Sequence, residues 1–123
     1  SALAWRKVQY CWPDHIEPGL RNFLSIPFSA EALALDPLER LAAVRRLEAG
    51  YDDLPCLYNA FVSVDVVRRL AGESGGRFFH CVLPDVYSGV ALAPVVGRYL
   101  LLRAPLSVNG ASRHSGASLA GAR

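Results

Sequence analysis

Apolar and polar residues alternate loosely from Trp5 to Trp12, which predicts a short strand. Trp12-Pro13-Asp14-His15 should end it, since Pro13 cannot donate to a ladder and Asp14 favours a turn. Residues 16–35 carry Pro18-Gly19 and Pro27 and read as irregular, with one short helical turn. Asp36-Pro37-Leu38-Glu39 is a helix start: Asp36 can cap, Pro37 fits the first helical position, and Glu39 can complete a capping box. That helix should run to about Glu48 and stop at Gly50. A turn at 51–55 and a mostly apolar run from Cys56 to Val62 follow. Ser63 should cap an amphipathic helix with Val64, Val66, Val67, Leu70 and Ala71 on one side, closed by Gly72 to Gly76.

The next stretch is the most informative. The apolar run 77–83 reads as a strand, and Val86 to Ala93 as an uncharged, buried helix, with Asp85 at their junction. A carboxylate there would sit over the amide groups of the first helical turn, either as a helix cap or as a reactive group. Ser88, Gly89, Ala91 and Ala93 are small enough for a neighbouring element to come close, so this helix should lie against a sheet, and Pro94 should bend or end it. Tyr99 to Leu102 reads as a second buried strand and Leu106 to Val108 as a short edge strand. The order strand, junction acid, buried helix, strand is α/β in character, with too few strands for a complete sheet covered on both faces. The last twelve residues, rich in Gly, Ala and Ser, read as a flexible tail over 112–123.

Composition narrows the picture. At 123 residues, 52% hydrophobic and 20% charged, the chain is one small domain or part of a larger one, and global disorder is excluded. One lysine (Lys7) accompanies twelve arginines, a bias that suggests a GC-rich genome. The net charge of +2 gives no support to nucleic acid as a partner. Its distribution is uneven: residues 1–85 hold all eleven acids against nine bases, whereas residues 86–123 hold four arginines and no acid. Such an excess suits either a solvated basic tail or a phosphate-bearing ligand. Cys11, Cys56 and Cys81 form no CxxC pair, so all three are expected reduced and apolar-packed, on a cytoplasmic protein. No signal peptide is visible, and the apolar stretch Val90 to Leu102, broken by Pro94 and Arg98, is short of the ~20 residues of a membrane span.

Several chemistries lack a motif. GxGxxG, the P-loop, GxSxG and HExxH are absent, and His15, His80 and His114 are not spaced as ligands on one element. His80 reads as a core or boundary residue, Arg68-Arg69 as a solvated helix face, and Asp52-Asp53 as a solvated turn that nothing nearby completes as a metal site.

Four segments taken in order carry a resemblance: Leu54-Pro55-Cys56-Leu57-Tyr58-Asn59-Ala60-Phe61-Val62, Gly76-Arg77-Phe78-Phe79, Pro84-Asp85-Val86-Tyr87-Ser88-Gly89, and Pro105 to Ser115. Over roughly residues 50–118 the chain resembles the C-terminal part of bacterial family 2 glycosyltransferases, which are inverting, nucleotide-sugar-dependent enzymes of the GT-A fold. The resemblance implies a partial GT-A-like α/β architecture, an incomplete three-layer sandwich of few strands with two to four helices. It implies that Asp85 is the general base for an acceptor hydroxyl, though Pro84 stands where a Glu-Asp pair is commoner. Tyr87 and Ser88 then resemble acceptor-binding positions, with Tyr87 equally suited to a core aromatic. The loop Asn109 to Ser115 resembles the one that closes over the donor, with Ser112, Arg113, His114 and Ser115 at the donor diphosphate, where His114 or Arg113 could meet the diphosphate or its metal. The family's nucleotide-binding half, with its Asp-x-Asp motif, has no counterpart here. The expected partners are therefore a nucleotide-sugar, a hydroxyl acceptor and that missing half, with Mg²⁺ or Mn²⁺ in the intact enzyme, no cofactor for this portion and no activity alone. Two other classes remain open beside it: a non-catalytic α/β interaction module and an anion-binding domain.

Overall fold

The computed structural model describes residues 1–115. One five-stranded sheet organises them, built on two long strands, β1 (Ala2–Cys11) and β5 (Tyr99–Ala111), which run parallel. On its other edge β1 pairs antiparallel with two short strands, β2 (Leu24–Ser25) at its end and β4 (Ala60–Val62) at its start. β3 (Ala32–Leu35) closes the far side by pairing antiparallel with β5. Helices α1 (Pro37–Arg45), α2 (Val64–Glu73) and α3 (Pro84–Leu92) lie in the long connection between the parallel strands. The fold is mixed α/β.

Both long strands exceed the sequence expectation. β5 joins the two short strands predicted at 99–102 and 106–108 and passes through Pro105, which lacks the amide to hold a regular ladder. The register against β1 slips there, between Trp5 and Arg6 and again between Arg6 and Lys7. Residues 16–35, expected to be irregular, supply β2 and β3 as well as the short helical turn, at Pro18–Leu20.

Ala4, Ala60, Tyr99 and Leu101 share one sheet face and form the core with Leu92 and Val96, joined at its edge by Val66 and Leu70 of α2. Side chains alternate along a strand, so Leu3, Phe61 and Leu100 share the opposite face, where Phe61 and Leu100 are exposed.

The segment 77–83 is not a strand. The strands beside β1 and β5 are β2, β4 and β3, and this run pairs with none of the five. Its aromatic residues gather on α3 instead: the Phe78 and Tyr87 rings meet edge to face at 6.0 Å, and Phe79 and His80 flank the same tyrosine. His80 and Cys81 are exposed, whereas His80 was expected in the core or at its boundary and Cys81 in apolar packing; Cys11 and Cys56 are buried.

Asp36 caps α1 as its sequence requires, its Oδ1 accepting from the amides of Leu38 at 2.8 Å and Glu39 at 3.2 Å. Ser63 precedes α2 without a side-chain cap. α1 ends at Arg45, not near Glu48, in a six-residue closure: Glu48 N–H donates to Ala43 O and Leu47 N–H to Val44 O. This closure needs a left-handed residue, and Leu47 takes that place with φ of 60°. Leu47 is 93% exposed, so its side chain contributes no packing to offset the strain. Leu47→Gly should therefore stabilise the fold by about 0.5–1 kcal/mol in urea unfolding. An unchanged or lower midpoint would show that the left-handed turn costs nothing.

Candidate functional site

Asp85 is the second residue of α3, after Pro84 in the first helical position; Leu83, not Asp85, holds the cap position. The helix-cap role is thus not the one that Asp85 plays. Its half-buried carboxylate makes no hydrogen bond or ion pair among the described residues. It lines an open cavity of about 730 Å³. Val82, Leu83 and Pro84 line it beside Asp85, together with Ser107, Val108 and Asn109 of β5 and with Tyr51 and Tyr58. Lys7 and Gln9 of β1 complete the lining, and Asn109 Nδ2 donates to Gln9 Oε1 at 2.7 Å.

The position of α3 depends on two small residues. Ser88 is wholly buried; its hydroxyl donates to Asp85 O at 2.9 Å and accepts from Leu57 N–H at 3.1 Å. One residue on, a Cβ added to Gly89 would lie 2.7 Å from Cys56 Sγ and 3.1 Å from Leu54 Cβ. The small residues therefore bring the helix against the 54–57 segment, while Leu92 at its other end reaches the sheet core.

Two adjacent acids, read from sequence as a solvated turn, prove to be structural. Asp53 is 8% exposed within the 3-10 turn Tyr51–Asp53 and pairs with Arg6 and, at 3.3 Å, with Arg40. Its backbone carbonyl also accepts a hydrogen bond from the buried Tyr99 hydroxyl. Asp52 meets Lys7 Nζ at 2.9 Å. Lys7 thus faces one carboxylate from Asp52 while lining the cavity that holds another, Asp85.

Burial, with the negative charges of Asp52 and Asp85 in support, raises the Tyr51 phenol above its ordinary value, so it stays a neutral hydrogen-bonding group. Burial and then Asp52 push the Cys56 thiol up to about 12, which removes it as a nucleophile near neutral pH. Asp85 is the acid best placed to meet a ligand in this cavity.

The other expected site residues fall elsewhere. Tyr87 belongs to the aromatic group with Phe78, Phe79 and His80, and Ser88 is turned into the 54–57 segment. Ser112, Arg113, His114 and Ser115 form a hydrogen-bonded turn, with Ser112 N–H donating to Ser115 Oγ at 2.7 Å and Arg113 Nε to His114 Nε2 at 3.2 Å. None of the four lines the Asp85 cavity; His114 lies 4.0 Å from Asp14, at the turn that ends β1. The rest of the expected flexible tail, 116–123, lies outside the described residues. Among the described residues no three His, Cys, Asp or Glu side chains gather as a metal-ligand set. No helix among them is long and apolar enough to cross a membrane.

Lys7, Tyr51 and Tyr58 were not singled out as site residues by sequence reasoning, and Asn109, expected to begin the donor-side loop, lies on β5 and lines the Asp85 cavity instead. The one available signal was Lys7 itself, the lone lysine in an arginine-rich chain. No family model, no curated protein and no solved structure matches this chain.

The close approach at Gly89 gives a direct test of how α3 is held. Gly89→Ala should lower the thermal midpoint by about 5 °C or more in a calorimetric scan, since an added methyl must displace Cys56 or Leu54. An unchanged midpoint would mean that α3 is free to move away.

Proposed function

We propose that this chain is the acceptor-side portion of an inverting glycosyltransferase that moves a sugar from a nucleotide-sugar donor to an acceptor hydroxyl. The observation that carries the reading is the Asp85 carboxylate, half-buried at the wall of an open cavity and without an internal partner among the described residues. A structural acid in this fold looks different: Asp53 is held by two arginines and Asp36 by two amides. An acid kept free beside a cavity is available to take a proton.

The chemistry asks for such a group. An acceptor hydroxyl does not ionise near neutral pH, so it must lose its proton as its oxygen attacks the anomeric carbon. In the proposed step the proton passes to Asp85, the new carbon–oxygen bond forms, and the bond to the nucleoside diphosphate breaks with its electron pair leaving on the phosphate. Attack from the face opposite the leaving group inverts the anomeric centre. Tyr51, Tyr58 and Asn109 are the acceptor contacts in this reading, with Ser88 and Tyr87 setting the position of the base. The GT-A character of the fold is part of the same proposal. The parallel β1–β5 pair, with helices in its connection, and the open apolar face at Phe61 and Leu100 support it. The donor, the Asp-x-Asp motif and the Mg²⁺ or Mn²⁺ are assigned to a nucleotide-binding half. A bacterial, cytoplasmic setting belongs to the same reading.

The stereochemistry of the product tests it. An enzyme that carries this portion together with a nucleotide-binding half should transfer sugar with inversion, read from the anomeric proton coupling of the first-formed product. Retention of configuration, or hydrolysis of the donor with no transfer to any hydroxyl acceptor, would contradict the reading.

A further inference from the structure

A second cavity, of about 370 Å³, lies beside the first and shares Lys7 and Gln9 with it as a common wall. Trp5 and Arg6 of β1 also line it, so three consecutive strand residues reach one cavity. A regular strand would send alternate ones to opposite faces; the register slips at these residues. Ser25, the segment Pro27-Phe28-Ser29, Asp52, Asn59 and Arg103 complete the lining.

Three cations in one cavity suggest an anion at first sight, but each already has a carboxylate. Arg6 pairs with Asp53, Lys7 with Asp52 at 2.9 Å, and Arg103 with Glu31 at 2.6 Å. A phosphate would have to displace those carboxylates. A neutral polyhydroxylated ligand would not, because a hydroxyl can donate to a paired carboxylate and accept from a paired cation at once. At the wall, Asn59 is wholly buried: its Nδ2 donates to Trp5 O at 2.9 Å, and its Oδ1 has no partner among the described residues. At the rim Phe28 is 81% exposed beside Pro27, an apolar platform for the carbon-bound face of a ring. The volume falls within the ~300–1,000 Å³ of small-molecule sites.

We infer that this second cavity is a saccharide subsite, which grips a sugar ring of the acceptor while the reacting hydroxyl lies in the neighbouring cavity at Asp85. The inference rests on the glycosyltransferase reading and narrows its acceptor to a carbohydrate. Lys7 and Gln9, on the common wall, would touch both parts of that acceptor.

The test uses the ¹⁵N-labelled chain, with the Trp5 indole N–H as reporter, since Trp5 lines the cavity and its Nε1 donates to Ser107 Oγ at 2.9 Å. Cellotriose, maltotriose, mannotriose, chitotriose and inorganic pyrophosphate are titrated separately. At least one trisaccharide should shift the Trp5 signal with a Kd of about 1 mM or below. Phe28→Ala, an exposed position whose loss leaves the fold intact, should weaken that binding about 5-fold or more. No Trp5 shift with any trisaccharide at about 20 mM would overturn the inference. A shift with pyrophosphate alone, or saccharide binding indifferent to Phe28→Ala, would overturn it as well. Saccharide binding in a protein whose intact form retains the anomeric configuration would sink the transfer mechanism and leave this subsite standing.

Discussion

The docking of α3 onto the Leu54–Leu57 segment is the constraint on which the site depends. Gly89 removes the side chain that would meet Cys56 and Leu54, and the Ser88 hydroxyl fills the remaining polar need by bridging Leu57 N–H and Asp85 O. Packing and hydrogen bonding thereby act on adjacent residues of one helical turn. Asp85, three residues before Ser88 and in that same turn, is carried to the cavity wall with no partner of its own. A buried amide–hydroxyl pair of this kind contributes about 1 kcal/mol net, yet leaving either group unpaired costs more. The geometry is therefore held by the cost of its alternatives.

Beneath the cavity, acids are sorted by role. Asp53 takes Arg6 and Arg40 and lends its carbonyl to the Tyr99 hydroxyl, so it ties β1, α1 and β5 to the 3-10 turn. Burial before all else pushes the Tyr99 phenol up to about 12, which keeps its proton on the hydrogen bond. Asp52 is matched to Lys7. With those pairs formed, Asp85 is the acid in this region left for an external ligand. The same pairing leaves the second cavity polar but close to charge-balanced, and hydroxyl-bearing ligands suit such a lining better than phosphates do.

Local signals in the sequence reached as far as local physics goes. The Asp36-Pro37 start, the amphipathic pattern of α2 with its glycine closure, and the start of α3 at the Pro84-Asp85 junction each depend on neighbours within a turn or two, and each is legible. The strand read at 77–83 failed: the short strands beside β1 and β5 come instead from 24–25, 32–35 and 60–62, the first two out of a stretch that looked irregular. Asp52-Asp53 looked solvated because its arginine and lysine partners lie more than ten residues away. Asp85 was legible as a junction acid, but its cavity was not: Lys7, Tyr51 and Asn109 come from three distant parts of the chain.

The most direct measurement is the transfer rate of Asp85→Asn in an enzyme that carries both halves, with donor and acceptor saturating. Asn keeps the shape of the side chain and removes its basicity, and Asp85 neither caps α3 nor pairs with a cation among the described residues. The account requires a fall of ~100-fold or more in kcat with a thermal midpoint close to that of the parent. A variant that transfers sugar at the parent rate would contradict it.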